Sequence, residues 1–215
     1  MTNKHGQVAV VIDVFRSFTT ACHVLQAGPQ EYLMTNKCEV VARLGESRPD
    51  ALLIGKPERG RQTIYNIPNS PTRLAGCVVK GRHVIHRCNA GAKGLLAAAG
   101  YDVSLAVCFA NLSASAEWLK KHAQGFEIFP MGHEGEYPSA EDDSCRDALL
   151  ARLRGDPLNM KGVEEKLSAG PGRCFFSPGS DEYPQADFRR CLDVDAVDFP
   201  IMGVAVGDYV RIERG

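Results

Sequence analysis

The sequence has no long uninterrupted apolar run, no large excess of either charge, and no closely spaced pair of cysteines. No apolar run is long enough to span a bilayer, so a membrane-spanning helix is not expected. Residues 1–6 lead directly into an apolar strand without a signal-peptide core, and we expect a cytoplasmic protein with no membrane partner. The formal net charge of -1 argues against a general nucleic-acid binder, because such a protein needs a basic surface to neutralise phosphates.

The eight cysteines show no Cys-x-x-Cys spacing. In a chain of 215 residues without export features, an even cysteine count does not indicate a disulfide framework. We therefore expect reduced thiols that mostly fill the core as small apolar groups. The nearest histidine pair, His83 and His86, lies in a strand-like run where the two side chains would point to opposite faces, so we expect no structural zinc site.

The segment from Val8 to Thr20 is the one around which the chain is organised. Residues 8–12 form a continuous apolar run, which is typical of a strand covered on both faces of a parallel sheet. Asp13 and Arg16 follow that strand directly, before an apolar helical stripe begins. Open α/β sheets bind their ligands at this carboxyl edge. Asp13 and Arg16 are therefore the first candidate site residues.

Strand and helix patterns alternate along most of the chain, and 44% hydrophobic with 24% charged residues is typical of a globular protein. The alternation predicts an α/β fold, layered α/β/α, with a largely parallel or mixed sheet and a single domain over residues 1–215. Residues 201–212 alternate around a Gly-Asp turn and predict a terminal hairpin or edge strand. The further strand candidates are residues 32–34, 51–54, 84–86, 103–109 and 126–131.

Three consecutive carboxylates, Glu141, Asp142 and Asp143, open a predicted helix. Ser139 with Asp142 resembles a capping box, and acidic residues in a first turn suit the positive end of the helix dipole. Three carboxylates exceed what capping requires, however, and paired carboxylates are the usual protein ligands of Mg²⁺. Together with Asp13, these residues are candidate metal ligands.

Basic residues provide the counterpart of these carboxylates. Arg16 and Lys93 lie just beyond predicted strand ends, where a phosphate or sulfonate would meet both a cation and the amides of a helix N-terminus. A solvated surface charge is the commoner role of such side chains. Carboxylates combined with cations nevertheless indicate a magnesium-bridged phosphorylated substrate, since such sites act mainly by positioning and charge neutralisation.

Two other phosphate chemistries are compatible with parts of the sequence. Cys88 followed by Lys93 partly matches a cysteine-phosphatase loop, but position 94 is glycine where that pattern requires arginine. A buried structural thiol is the alternative interpretation of Cys88. Asp13 is followed by Val14 and Phe15, without the second aspartate of an Asp-x-Asp phosphatase, so that motif does not support an aspartyl-phosphate intermediate.

Six short motifs occur over residues 8–155. No single one is diagnostic, but all six in this order are a fairly specific signature. They are Ile12-Asp13-Val14-Phe15-Arg16 with Thr19-Thr20, Glu58-Arg59-Gly60, Asn69-Ser70-Pro71, Asn89, Asn111-Leu112-Ser113-Ala114 and Glu141-Asp142-Asp143-Ser144-Cys145. In these motifs the chain resembles the 2-phosphosulfolactate phosphatases of coenzyme M biosynthesis and their bacterial relatives.

The resemblance implies an α/β fold of the family's own type and Mg²⁺-dependent hydrolysis of 2-phosphosulfolactate to 3-sulfolactate and phosphate. It makes the carboxylates candidates for metal binding or water activation, and a set of polar residues candidates for holding the small anionic phosphorylated substrate. It leaves a homodimer open. The carboxylates are Asp13, Glu58, Glu141, Asp142 and Asp143; the other candidates are Arg16, Arg59, Asn69, Ser70, Asn89, Lys93, Asn111 and Ser113.

The chain also departs from the family pattern in two places. At residues 89–93 of this chain, the family usually has Asn-Gly-Thr-Arg. At residues 64–71, it usually has Gly-Phe-Asp, then two variable residues, then Asn-Ser-Pro. A lost hydroxyl and a lost carboxylate would change the hydrogen bonds to a ligand, and selectivity depends on such contacts. A non-catalytic anion-binding or regulatory relative, or a phosphatase with another small substrate, is therefore the alternative to the named activity.

Overall fold

The computed structural model describes residues 4–57, 65–179 and 182–215. The strands in these ranges are β1 (Lys4–Ile12), β2 (Glu31–Thr35), β3 (Leu52–Ile54), β4 (His83–Arg87), β5 (Tyr101–Val107), β6 (Gly125–Pro130), β7 (Ile201–Val206) and β8 (Tyr209–Arg214). The α-helices are α1 (Ser17–Gln26), α2 (Cys38–Glu46), α3 (Pro71–Leu74), α4 (Ala90–Ala97), α5 (Leu112–His122), α6 (Ala140–Arg154), α7 (Met160–Ala169) and α8 (Gln185–Cys191). Short 3-10 segments cover Ala98–Gly100, Phe109–Asn111 and Pro171–Phe176.

The strands form one mixed sheet in the order β3-β4-β2-β8-β7-β5-β1-β6. Strands β3, β4 and β2 are mutually parallel, and so are β5, β1 and β6. The β7–β8 hairpin lies between these two groups and pairs antiparallel with β2 on one side and β5 on the other. Because three successive pairings are antiparallel, the two parallel groups run in opposite directions. The predicted α/β fold and the predicted terminal hairpin are confirmed.

Strand β2 shows how helices cover both faces of the sheet. Leu33 packs in a cluster with Val40, Val41 and Leu44 of α2, whereas Tyr32 and Met34 belong to the main hydrophobic core. Successive side chains of a strand point to opposite faces, so each face of β2 is covered. A single domain over residues 1–215 stays a prediction. No helix in the described residues is both long and apolar enough to cross a membrane.

Strand β1 is the buried strand predicted from its apolar run. It pairs with β5 on one side and β6 on the other, and Ala9, Val10, Val11 and Ile12 are fully buried. Full burial explains why the run shows no alternation of apolar and polar residues. At its carboxyl end the chain passes Asp13 and enters α1 at Ser17, which places the first polar residues at the mouth of the site described below.

A buried polar pair lies beside the hairpin in the other parallel group. His86 on β4 is fully buried, and its Nδ1 lies 2.7 Å from the hydroxyl oxygen of Tyr32 on β2, so the two share a hydrogen bond. Burial lowers the pKa of His86 to about 3, because the protein interior disfavours the charged imidazolium. The folded state therefore holds a neutral histidine that the unfolded chain would protonate near pH 6.5.

We expect this histidine to weaken the fold in mild acid. Folding depresses the pKa of His86, so its stabilising effect is present above about pH 6.5 and is lost as the pH falls toward 3. In the variant His86→Asn, the asparagine Oδ1 replaces Nδ1 but cannot titrate. Between pH 7 and pH 5, the free energy of unfolding measured in urea should therefore fall by about 2 kcal/mol less in this variant than in the wild type. Tyr32→Phe keeps the histidine and serves as the control, with the wild-type pH dependence. Parallel stability curves for His86→Asn and the wild type would contradict this account.

Candidate active site

One cavity of about 580 Å³ opens where the carboxyl ends of four strands meet. Strands β1 and β6 belong to one parallel group and β3 and β4 to the other, so a shared edge of one parallel sheet does not explain their meeting. The segments that follow β1 and β4 join the two groups. Gly91 N–H, in the first turn of α4, donates a hydrogen bond to Asp13, which follows β1. The lining residues are Asp13, Phe15–Ser17, Gly55–Pro57, Tyr65–Asn69, Arg87–Ala90, Gly132–Glu134, Glu141, Asp142, Glu182 and Tyr183.

Three carboxylates form one wall of this cavity, and we call them the acidic wall: Asp13, Glu141 and Asp142. Each is less than a tenth exposed. The backbone N–H groups of Ser17 and Gly91 donate to Asp13 Oδ1 and Oδ2 at 3.2 and 2.8 Å. Asp142 is bound in the same manner from two other segments. Backbone donors thus fix two of the three carboxylates in orientation.

Asp142 connects the start of α6 to two strand ends. Val14 N–H donates to its Oδ1 at 2.8 Å and Gly132 N–H to its Oδ2 at 2.7 Å. Ser139 occupies the N-cap position of α6, but its side chain makes no capping hydrogen bond. The capping-box interpretation is therefore wrong, because the carboxylate of Asp142 turns away from the helix and binds the segments that follow β1 and β6.

Both glycine donors occupy positions where no other residue fits. A Cβ added at Gly91 would lie 2.7 Å from Phe18 Cε1 and 3.0 Å from Asp13 Oδ2. A Cβ at Gly132, whose φ is +67°, would lie 2.0 Å from the carbonyl oxygen of Tyr137. The absence of a side chain lets the backbone N–H approach the buried carboxylate closely.

The acidic wall is electrostatically unfavourable on its own. Burial and then the charge of Asp13 raise the pKa of Asp142 to about 8. Burial also raises the pKa of Asp13, against the opposing hydrogen bonds from Ser17 and Gly91. The pKa of Glu141 is raised mainly by burial, with a smaller contribution from Asp13. The site therefore favours a cation, or protons, beside these groups.

Cationic side chains also line the cavity. Arg16 is 8% exposed and donates from Nη1 to Asp187 Oδ2 at 2.7 Å and to the carbonyl oxygen of Glu182 at 2.8 Å. Lys56 forms a 2.6 Å ion pair with the Glu182 carboxylate, and this pair is largely exposed. Arg87 donates to the Lys56 carbonyl oxygen at 3.0 Å. The cavity is thus lined by both buried carboxylates and cations.

Six predicted site residues line the cavity. They are Asp13, Arg16, Asn69, Asn89, Glu141 and Asp142. The amide Nδ2 of Asn69 donates to Ser17 Oγ at 3.4 Å, and its Oδ1 is buried without a partner among the described residues. Asn89 precedes α4 and makes no capping bond with its side chain. Both amides are placed to meet a ligand.

Ser70, Asn111 and Ser113 are predicted substrate-binding residues that do not line the cavity. Ser70 caps α3 by accepting from Arg73 N–H at 3.2 Å, as its sequence position predicts. Asn111 is fully buried and bonds to backbone groups of residues 106 and 108. Ser113 donates its hydroxyl to Asp195 at 2.6 Å. The polar group of each is thus hydrogen-bonded to other protein groups.

Lys93 and Asp143 also lie away from the cavity. The Lys93 ammonium contacts the carbonyl oxygen of Gly135 at 3.5 Å and lies 3.9 Å from the Glu136 carboxylate. Asp143 pairs with Arg146 one turn along α6 at 2.7 Å. On a helix, neighbouring residues point in different directions, so Asp143 does not join Asp142 at the acidic wall. Two further predicted residues, Glu58 and Arg59, lie outside the described residues.

Eight charged or aromatic residues that line the cavity were not among the predicted site residues: Phe15, Lys56, Tyr65, Arg87, His133, Glu134, Glu182 and Tyr183. Arg87 and Lys56 follow strands β4 and β3, so the strand-end rule would have found them if applied to every strand. Glu182 and Tyr183 lie in a segment with no periodic pattern. Their place depends on long-range packing that no local signal reveals.

Cys88 lines the cavity but is only 6% exposed. Burial, and then the charge of Asp13, raise the pKa of the Cys88 thiol to about 12. A nucleophilic cysteine requires a lowered pKa, because the thiolate is the reactive form. The geometry favours the structural interpretation of this thiol. All eight cysteines are free, as expected.

Mg²⁺ fits the residues of the acidic wall. Within residues 4–57, 65–179 and 182–215, no three His, Cys, Asp or Glu side chains are arranged to hold a metal ion by themselves. Mg²⁺ does not require such a cage, because one or two carboxylates usually bind it together with water and a substrate phosphate. Glu141 Oε2 is buried without a hydrogen-bond partner in the described chain, which is what a carboxylate oxygen that lacks its cation would show.

Comparison with known proteins gives one consistent result. A family model described as 2-phosphosulpholactate phosphatase matches residues 1–170. A Bacillus subtilis (strain 168) protein named "Probable 2-phosphosulfolactate phosphatase" is 23% identical over 212 residues, which are 97% of this chain and 92% of that protein. A Deinococcus radiodurans protein of the same name is 33% identical over 180 residues, 72% of this chain and 74% of that protein.

The close contact at Gly91 leads to a paired prediction. Gly91→Ala should destabilise the protein by about 1–3 kcal/mol, because the added methyl group must displace Phe18 or the Asp13 carboxylate. Gly45→Ala is the matched control, since its Cβ would meet no atom within 4 Å, and it should raise stability by about 0.4–1 kcal/mol. Urea unfolding of both variants checks the signs. A Gly91→Ala protein as stable as Gly45→Ala would show that the Asp13 contact is not tight.

Proposed function

The chain belongs to the 2-phosphosulfolactate phosphatase family, and on that basis we propose that it is a cytoplasmic, Mg²⁺-dependent phosphatase that hydrolyses 2-phosphosulfolactate to 3-sulfolactate and phosphate. Its product would enter coenzyme M biosynthesis in an organism that makes this cofactor. The observation that carries the proposal is that one cavity is lined by both buried carboxylates and cationic side chains. A small molecule with several negative charges needs both features, a metal-binding wall for its phosphate and cations for its other anionic groups.

The acidic wall is the proposed Mg²⁺ site. One or two of Asp13, Glu141 and Asp142 would hold the ion together with water and the substrate phosphate, and the raised pKa values of these groups favour a divalent cation that offsets their mutual repulsion. The bound ion would polarise the phosphoryl group and neutralise charge that develops as the ester bond breaks. The protein's contribution is to fix Asp13 and Asp142 through backbone donors, so that the orientation of these two carboxylates does not change when the ion binds.

Other polar residues of the cavity bind and orient the substrate. Arg16 is held at one position by two hydrogen bonds from Nη1, and a fixed guanidinium suits an anionic oxygen pair. The partnerless Oδ1 of Asn69 is placed to accept a substrate hydroxyl. The amide of Asn89 stands at the start of α4, where the helix dipole also favours an anion. These groups act by positioning and charge neutralisation.

Asp13→Asn is the variant that tests this assignment. Phosphate release from 2-phosphosulfolactate by the wild type should require Mg²⁺, and Asp13→Asn should lower the rate at least about 100-fold, because it removes one charge from the metal-binding wall. Asp143→Asn is the matched control: it alters the same acidic triplet but lies outside the cavity, and it should retain the wild-type rate. Mg²⁺ should also raise the melting temperature of the wild type more than that of Asp13→Asn.

Three results would contradict the proposal in different ways. If a folded wild type releases phosphate from no small phosphoester and does not bind Mg²⁺, the phosphatase assignment fails. If sulfolactate or phosphate raises the melting temperature without turnover, the chain is an anion-binding relative, which the missing hydroxyl in residues 89–93 would favour. If Cys88→Ala abolishes activity while Asp13→Asn does not, the reaction depends on the thiol and not on the acidic wall.

A further inference from the structure

Asp187 is a fully buried carboxylate that the proposed mechanism does not use. It lies on α8 and does not line the cavity, yet one of its oxygens contacts Arg16 in the cavity wall and the other contacts the segment directly after Asn69. Oδ2 accepts from Arg16 Nη1 at 2.7 Å. Oδ1 accepts from the Ser70 hydroxyl and from Thr72 N–H, each at 2.9 Å. One side chain therefore joins α8 to the residues that follow β1 and to the start of α3.

Arg16 is enclosed by the same C-terminal segment. Its guanidinium carbon lies 4.8 Å from the ring centroid of Tyr183 and 5.8 Å from that of Phe175. The carbonyl oxygen of Glu182 accepts from the same Nη1 that Asp187 binds. All the contacts that the described residues make with Nη1 thus come from residues 182–187, which lie beyond the part of the chain that the family model matches.

The second contact of Asp187 positions the residue next to Ser70. Asn69 lines the cavity and has a buried, partnerless Oδ1, and it is joined directly to the Ser70 that Asp187 holds. A buried charge-assisted hydrogen bond resists displacement because the protein interior does not replace it with water. Asp187 therefore fixes both Arg16 and the short segment that presents Asn69.

We propose that Asp187 is a positioning residue, which holds the Arg16 guanidinium and the Asn69 segment at the separation that an anionic phosphoester requires. This inference rests on the proposed function. It assigns to the C-terminal segment a part of substrate recognition that the motifs in residues 8–155 do not contain. Asp187 does not touch the substrate, and its effect passes through Arg16 and Ser70.

The alternative is that the ion pair between Asp187 and Arg16 only anchors α8 and has no part in substrate binding. The two interpretations differ in substrate binding and in the coupling to Arg16. A structural role changes stability and leaves KM unchanged in the folded fraction. A positioning role raises KM, and it does so only while Arg16 is present to be positioned.

The test is a double-mutant cycle of Asp187→Asn and Arg16→Gln, assayed with 2-phosphosulfolactate below the melting temperature of every variant. Asp187→Asn alone should raise KM about tenfold or more, as expected when a charge-assisted contact that orients a binding group is lost. In the Arg16→Gln background the same change should alter KM less than about threefold, because coupled residues are not additive.

Asp195→Asn is the matched control. Asp195 also accepts from a serine hydroxyl (Ser113 Oγ, 2.6 Å), a backbone N–H (Ser113 N, 2.7 Å) and an arginine (Arg152 Nη2, 3.5 Å), but it lies away from the cavity. It should leave KM at the wild-type value. Asp187→Glu keeps the charge and should recover part of the loss, and it replaces Asp187→Asn if that variant does not fold.

An unchanged KM in folded Asp187→Asn, or equal effects in the presence and absence of Arg16, would overturn the inference while leaving the phosphatase assignment intact. If the wild type hydrolyses no phosphoester, the proposed function fails, and calorimetry with inorganic phosphate still decides about Asp187. Binding that is at least tenfold weaker in Asp187→Asn than in Asp195→Asn would then support the positioning role, and equal binding would refute it.

Discussion

Asp13 and Asp142 place two buried carboxylates in the wall of one cavity, and most features of the site follow from the need to hold them there. Burying like charges together is costly unless hydrogen bonds and a counter-ion compensate for the lost water. The backbone supplies the hydrogen bonds from four different places: the start of α1, the start of α4, the turn after β1 and the turn after β6. In the proposed function, a bound Mg²⁺ would supply the remaining compensation.

This requirement explains several local choices of residue. Glycine occupies position 91 because a side chain there would crowd Phe18 and the Asp13 carboxylate, and it occupies position 132 because a Cβ there would collide with the carbonyl oxygen of Tyr137. The first turn of α6 loses its capping box because Asp142 is used to join two strand ends. Asp187, like Asp142, makes two kinds of contact with one carboxylate. It pairs with Arg16, and it accepts hydrogen bonds from Ser70 and Thr72 at the start of α3.

The sequence predicted those parts of the structure that depend on local patterns. The apolar run of β1 predicted its burial, Ser70 with Pro71 predicted the start of α3, and the Gly-Asp pair at 207–208 predicted the turn of the hairpin. It also placed Asp13 near Glu141 and Asp142, because β1 and β6 are adjacent parallel strands whose ends meet.

The remaining features depend on distant packing. Nothing near Asp187 in the sequence indicates that it reaches Arg16, which is 171 residues away. The opposite direction of the two parallel strand groups results from the insertion of the C-terminal hairpin between them, and a strand pattern carries no information about the order of strands in a sheet. Asp143 shows the same limit within one helix, because three adjacent carboxylates look alike in sequence, although only two of them face the cavity.

The central claim is that the acidic wall holds a divalent cation. Anomalous diffraction from crystals grown with Mn²⁺ and inorganic phosphate tests it directly, because Mn²⁺ has similar preferences to Mg²⁺ for oxygen ligands and gives a signal that identifies its position. We predict one peak in the cavity, in contact with carboxylate oxygens of the acidic wall. No peak in the cavity, or a peak bound only by residues outside that wall, would contradict the account.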